Sequence, residues 1–210
     1  MRSQLLKERE CVMLDRKLYE QMKNVYGDVA SWAVWRPAGE TVKSNTDNMD
    51  WLNDNGLLDI LNTGFIFVGL NLSSTHGGGS QRGKYAWGNF HSGYSRQNDY
   101  KLRFALSGTR YWGSYITDLI KEYPEVDSSK VKAYLRENPN VVKRNVACFE
   151  EEISLLGESP VLVALGTATH RLLVNCLGHK YTIVKILHYS YAIGKEEYRK
   201  AVLKILDKCP

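Results

Sequence analysis

The stretch Gly64-Phe65-Ile66-Phe67-Val68-Gly69-Leu70-Asn71-Leu72-Ser73 most constrains how this chain can fold. An apolar run with β-branched Ile66 and Val68 breaks abruptly into Gly69, Asn71, Ser73, Ser74 and the glycines Gly77, Gly78 and Gly79. A short, continuous apolar run of this kind reads as a strand covered on both faces, which is how a parallel strand is packed. The segment beyond its carboxyl end is where an open α/β sheet holds a ligand. Asn71 is the polar residue there with the clearest chemical use.

The strand is expected over about Phe65–Leu70 and is followed by a long loop to about Asn98, a length usually reserved for function. Tyr100–Leu106 reads as a helix, and Tyr111–Thr117 as a second strand with Asp118 at its end. Ser128–Leu135 is a short helix. Asn138-Pro139 opens a longer one, with Asn at the cap, Pro at the first helical position and Val142, Val146, Phe149, Ile153 and Leu156 as its apolar stripe. Pro160–Leu165 is the third strand, Ala168–Leu177 a helix, Tyr181–Leu187 the fourth strand and Glu196–Leu206 the last helix.

Short apolar strands alternating with helices specify a parallel sheet covered on both faces. The expected fold is therefore α/β, a three-layer α/β/α sandwich around a central four-stranded, mostly parallel sheet. Residues 61–210 would form this domain. Residues 1–60 would form a helical or irregular N-terminal extension packed on it, with Val12, Leu18, Met22 and Val25 at helical spacing, Trp32 and Trp35 in a turn or loop, and a second short helix over Asp50–Leu61.

Several function classes are disfavoured. No stretch is apolar for long enough to span a membrane, and Met1–Glu10 is charged, without a signal-peptide apolar region, so a cytoplasmic location is expected. Cys11, Cys148, Cys176 and Cys209 are dispersed, which argues against a zinc knuckle, a redox dithiol or a disulfide framework. His76, His170 and His179 show no metal-ligand spacing, and neither a metal nor a cofactor is expected. Gly78–Lys84 matches G-x-x-x-x-G-K, but Tyr85 stands where a phosphate loop needs Ser or Thr, and Tyr85–Asn89 is a poor helix start. The net charge of +5 permits a nucleic-acid partner without requiring one.

In a parallel sheet every strand ends at the same edge, so Asn71, Asp118 and His188-Tyr189-Ser190 can converge from far apart in sequence. Here the chain resembles the uracil-DNA glycosylase superfamily. Gly69-Leu70-Asn71-Leu72-Ser73 is similar to its Gly-x-Asn-Pro-Gly type first motif, and His188-Tyr189-Ser190 to its His-Pro-Ser second motif. Tyr115–Lys121 resembles the strand that ends in an amide side chain, and Val161–Ala168 the Val-Ala-Leu-Gly strand and helix start. Leu72 and Tyr189 replace the two motif prolines, Asp118 stands where many relatives carry Asn, and the iron–sulfur branch's cysteine spacing is absent.

The resemblance implies a DNA-repair glycosylase acting on a flipped, damaged base, a monomer with DNA as its partner. Asn71 and His188 would be catalytic, Asn71 holding a water beneath the sugar and His188 donating to a base carbonyl. Gly69, Leu70, Phe90 and Asp118 would hold the base, with Phe90 stacking on it. Ser73, Gly166, Thr167, Ser190, Tyr191 and Ile193 would contact DNA, Tyr191 or Ile193 as a wedge in the vacated stack. An ionised Asp118 only accepts hydrogen bonds, so it suits an edge with two adjacent donors, such as guanine N1–H and N2–H, better than plain uracil. Blander roles remain open: Asn71 as a turn former, His188 as a loop histidine, Phe90 as a core anchor. So do two other functions: a glycosylase-fold protein that binds nucleic acid or a free nucleobase without chemistry, and a small-molecule nucleotide-metabolising enzyme.

Overall fold

The computed structural model describes residues 14–73, 81–94, 97–157 and 159–209. The glycines at 77–79, Ser80, His76, Cys11 and Val12 lie outside the described residues. The chain is α/β, with a five-stranded mixed sheet and seven α-helices among the described residues. In chain order these are α1 (Arg16–Tyr26), β1 (Ala30–Trp32), α2 (Leu57–Ile60), β2 (Asn62–Asn71), α3 (Asp99–Leu106), β3 (Ser114–Ile120), α4 (Ser128–Glu137), α5 (Pro139–Ser154), β4 (Val161–Leu165), α6 (Thr167–Leu177), β5 (Ile183–Ile186) and α7 (Lys195–Leu206).

The strand order is β1-β3-β2-β4-β5. The four expected strands are all present and mutually parallel, with β2 at the centre between β3 and β4. The expectation of four strands is corrected to five. Ala30–Trp32, read from sequence as turn or loop, pairs antiparallel with β3. Three residues between turns are too few to show a strand's alternation, and all three are buried, so no exposed face marks them.

Successive residues of β2 point to opposite faces of the sheet. Ile66 and Val68 join Trp32, Tyr115 and Leu162 on one face, under α1, α4, α5 and α6. Phe65 and Phe67 join Ile116, Val161 and Val163 on the other, under α3 and α7. This double burial explains why the strands read as unbroken apolar runs.

The α5 stripe also carries buried Asn145 and Glu152, which the apolar pattern passed over. Both serve the end of β3. Asn145 Oδ1 accepts from the backbone N–H groups of Lys121 and Glu122 at 2.7 and 3.2 Å. Glu152 accepts from the Tyr115 hydroxyl at 2.8 Å and from Lys121 Nζ at 2.6 Å, while Lys121 Nζ also donates to the Asp118 carbonyl at 2.7 Å. Asn138 precedes Pro139 as expected but does not cap α5 with its side chain; its amide instead closes α4 on the Tyr134 carbonyl.

Removing the buried Glu152 carboxylate strands Lys121 and the Tyr115 hydroxyl together. Glu152→Ala is expected to cost about 3 kcal/mol of unfolding free energy, read as a lower midpoint in urea denaturation with an unchanged slope.

Candidate functional site

The chain passes from β2 to β3 on one side and returns to β4 on the other. Ligands bind at such a reversal, beyond the strands' carboxyl ends. A cleft of about 570 Å³ opens there. Of the residues singled out from sequence, Gly69, Leu70, Asn71, Ser73, Phe90, Asp118, Gly166, Thr167, His188 and Ser190 all line it. Tyr191 and Ile193 do not. Tyr191 is 57% exposed just past His188, which keeps it available as a surface contact. Ile193 is partly buried, packed against the α3–α7 core.

Asn71 ends β2. Its Nδ2 donates to three backbone carbonyls: Leu72 at 2.9 Å, Glu125 at 2.8 Å and Tyr123 at 3.3 Å. Three acceptors around one atom fix which end of the amide is nitrogen. The oxygen end takes no part in this anchoring.

His188 follows β5. Its Nδ1 accepts from the Ser190 backbone N–H at 3.2 Å and lies 2.8 Å from the Ser190 hydroxyl. A ring nitrogen that accepts from a backbone N–H carries no proton, so the imidazole proton sits on Nε2. Burial lowers the His188 pKa to about 4, so the ring is neutral at pH 7. It stacks on Tyr189, with ring centroids 4.3 Å apart. Gly166, with φ +93°, passes beneath it, where an added Cβ would meet the His188 Cβ at 3.4 Å.

Two side chains latch the loop that carries His188. The Tyr198 hydroxyl donates to the Leu187 carbonyl at 3.0 Å, and Lys101 Nζ donates to the Tyr191 carbonyl at 2.8 Å.

Asp118 is not at the end of its strand, as read from sequence, but within it, paired in register with Gly69. Its carboxylate lies over that glycine: a Cβ at residue 69 would come within 2.1 Å of Asp118 Oδ1 and 3.5 Å of the Phe90 ring. Burial raises the Asp118 pKa to about 6 against the opposing pull of the Asn89 hydrogen bond and of the Lys121 and Arg82 charges. Asn89 Nδ2 donates to the Val29 carbonyl at 2.9 Å and to Asp118 Oδ2 at 3.0 Å, which uses both its hydrogens. Oδ2 of Asp118 is thus held by Asn89, while Oδ1 is the oxygen that lies over Gly69.

The loop over Asn89 and Phe90 is fixed from behind. Trp87 and Phe90 both adopt positive φ, +66° and +62°, a costly backbone for aromatic residues and one that persists only when the surroundings impose it. Trp87 is fully buried and its carbonyl accepts from the Ser31 hydroxyl at 2.6 Å. His91 Nε2 sits 2.9 Å from the same hydroxyl. Because that hydroxyl donates to Trp87, His91 Nε2–H donates to it. Burial lowers the His91 pKa to about 4.

Sequence reasoning missed Asn89 and Asp99 as cleft residues and gave Tyr189 no role of its own there. Asp99 is buried at the start of α3, and burial raises its pKa to about 7 against a backbone N–H from Ser92. In sequence it is indistinguishable from an acid in a first helical turn. The Tyr189 phenol is pushed well up by burial, and the charges of Asp99 and Asp118 push the same way. Asn89 adjoins Phe90 in a conspicuous aromatic stretch, and that adjacency was the available signal.

Among the described residues no three His, Cys, Asp or Glu side chains converge as metal ligands. The part of the G-x-x-x-x-G-K match that is described, Gln81–Lys84, forms a turn, and more turns rather than a helix follow it. Cys148 and Cys176 are free thiols. No helix among the described residues is long and apolar enough to cross a membrane. Comparisons with protein-family models, curated proteins and solved structures find no match for this chain.

The folded-state pKa values of His91 and His188, about 4, lie below the ordinary 6.5. The stability their neutral burial supplies is therefore complete above pH 6.5 and is lost as pH falls toward 4. Imidazole NMR across this range should show His188 neutral with its proton on Nε2 until about pH 4, and thermal stability should decline over the same interval.

Proposed function

We propose that the protein is a monofunctional DNA glycosylase, with a three-layer α/β/α fold of the uracil-DNA glycosylase type, that hydrolyses the N-glycosidic bond of a flipped, damaged base. The observation that carries this reading is the pairing, in one cleft, of a neutral His188 whose Nε2–H has no partner among the described residues with an Asn71 amide anchored, among the same residues, through its nitrogen.

Breaking the bond between sugar C1′ and the base nitrogen sends the electron pair onto the base and leaves positive charge on the sugar. His188 Nε2–H donates to the base carbonyl where the negative charge collects. A preorganised donor of this kind is worth about 3–4 kcal/mol. Asn71 Oδ1 holds a water beneath C1′. The water oxygen bonds to C1′ and its proton passes to solvent, because an amide is not a base at neutral pH. The departing base regains a proton from solvent. Thr167 and Ser128, at the amino ends of α6 and α4, line the same cleft. Their helix dipoles favour the DNA phosphates on either side of the flipped nucleotide.

Asp118 sets which base is accepted. Since Asn89 turns its Nδ2 to residue 118 while also donating to the Val29 carbonyl, residue 118 must offer it an acceptor and turn its other atom to the cleft. With Asp118 that atom is an acceptor, which favours a base presenting an N–H there over one presenting a carbonyl, as uracil does with O4.

The direct test is cleavage of oligonucleotides that each carry one altered base, followed by hot alkali to cut at abasic sites. Asn71→Ala and His188→Ala are each expected to lose about a hundredfold or more in excision rate. Activity that survives both substitutions refutes the assignment. DNA bound but never cut would instead mark a binding protein of this fold.

Asp118→Asn keeps the bond from Asn89 but turns an amide N–H to the cleft. It is expected to shift preference from N–H-bearing bases, guanine-type ones included, toward uracil by about tenfold or more. Competition between paired substrates in one reaction measures this shift.

A further inference from the structure

We propose that Tyr189 is a positioning residue for His188: its ring fixes the plane of the imidazole, and with it the direction in which Nε2–H points. The kinetic consequence rests on the glycosylase reading, whereas the placement of the ring does not.

A histidine does not set its own ring plane. The torsion about its Cβ–Cγ bond is broad and roughly two-fold, so neighbouring groups choose both how the ring is flipped and how it tilts. Ser190 chooses the flip. Its backbone N–H donates to Nδ1 at 3.2 Å, and its hydroxyl lies 2.8 Å from the same atom. Both contacts meet one atom on one edge, so by themselves they leave the ring able to rock about that edge and swing Nε2. A contact on the ring's face removes this motion. Tyr189 supplies it, with ring centroids 4.3 Å apart and 29° between the planes.

Consecutive side chains of an extended strand point to opposite sides, so two adjacent rings stack only where the backbone turns. β5 ends at Ile186, and the Tyr191 N–H donates to the His188 carbonyl at 2.9 Å. That bond closes a turn with Tyr189 at its second position. The Tyr189 ring is itself seated, because it packs on the core under α3 and α7. The chain is also latched on either side of it, at the Leu187 carbonyl by Tyr198 and at the Tyr191 carbonyl by Lys101. Both rings line the cleft. An imidazole with one face on Tyr189 and its Nδ1 edge on Ser190 has its Nε2 edge left to meet a ligand. The same cover keeps water from one face of the imidazole, in keeping with the burial that lowers the His188 pKa to about 4.

Three variants of the full chain test this. Tyr189→Phe keeps the flat face, while Tyr189→Leu and Tyr189→Met keep an apolar side chain against the core without one. In base excision, Leu and Met are expected to lower kcat about tenfold with KM within about twofold of wild type, because a misaligned donor is lost mainly from the transition state. Phe should keep the wild-type rate. Imidazole NMR on the same proteins reads the ring without any need for excision. His188 should titrate at about 4 in the wild type and in Tyr189→Phe, and move toward the ordinary 6.5 in Tyr189→Leu and Tyr189→Met. Wild-type kcat in the Leu and Met variants overturns the proposal, whatever their titration. A Phe variant as impaired as Leu also overturns it, because the hydroxyl and not the face would then matter. So does a raised KM with unchanged kcat, which would mark Tyr189 as a binding contact. If the wild type excises no base, the glycosylase reading falls and the titration alone decides the placement: a shift in Leu and Met but not in Phe upholds it, and a His188 that titrates alike in all four proteins overturns it.

Discussion

The cleft depends on one pairing in the sheet, Gly69 of β2 against Asp118 of β3. Because residue 69 has no side chain, the carboxylate of its neighbour can lie across it and still be part of a fully buried strand. Asn89 is drawn to that carboxylate, and the loop that carries Asn89 brings Phe90 over the same glycine. Lys121, Glu152 and Asn145 hold the strand from behind. The burial that pushes the Asp118 pKa up to about 6 is the same burial that gives this floor its shape.

The turns after β2 and β5 carry Leu72 and Tyr189 and no proline, yet both are held. A proline stiffens a turn by restricting its own backbone. Here the stiffening comes from side chains of other elements. The Asn71 amide gathers the carbonyls of Leu72, Tyr123 and Glu125, while Tyr198 and Lys101 hold the carbonyls before and after His188. The constraint on these turns is tertiary hydrogen bonding and not a local covalent one. The turns are thus ordered only in the folded chain, whereas a proline restricts the unfolded chain as well.

Much of the architecture was legible in the sequence because doubly buried parallel strands leave long apolar runs. The four parallel strands and the helices between them appear within a few residues of their expected bounds. The convergence of Asn71, Asp118 and His188 followed from strand polarity alone. What stayed hidden has physical reasons. The strand Ala30–Trp32 is too short and too buried to alternate. Asn145 and Glu152 look like breaks in an apolar stripe, because their partners are backbone and side-chain groups remote in sequence. Asp99 looks like an ordinary helix-start acid, and only tertiary burial separates it from one. The engagement of one Asp118 oxygen by Asn89 depends on a loop whose path no local pattern encodes.

The strand order has one more consequence. Asn71, Asp118 and His188 stand on or just after three different strands, and none of those strands pairs with its neighbour through a short hairpin. No contiguous fragment of the chain shorter than the span from β2 to the loop after β5 contains the cleft. Its residues meet only through non-local pairings, which form slowly because long loops must close first. Ligand binding by a nascent or cleaved chain would therefore report completion of the sheet. The cleft serves as its own checkpoint for correct assembly.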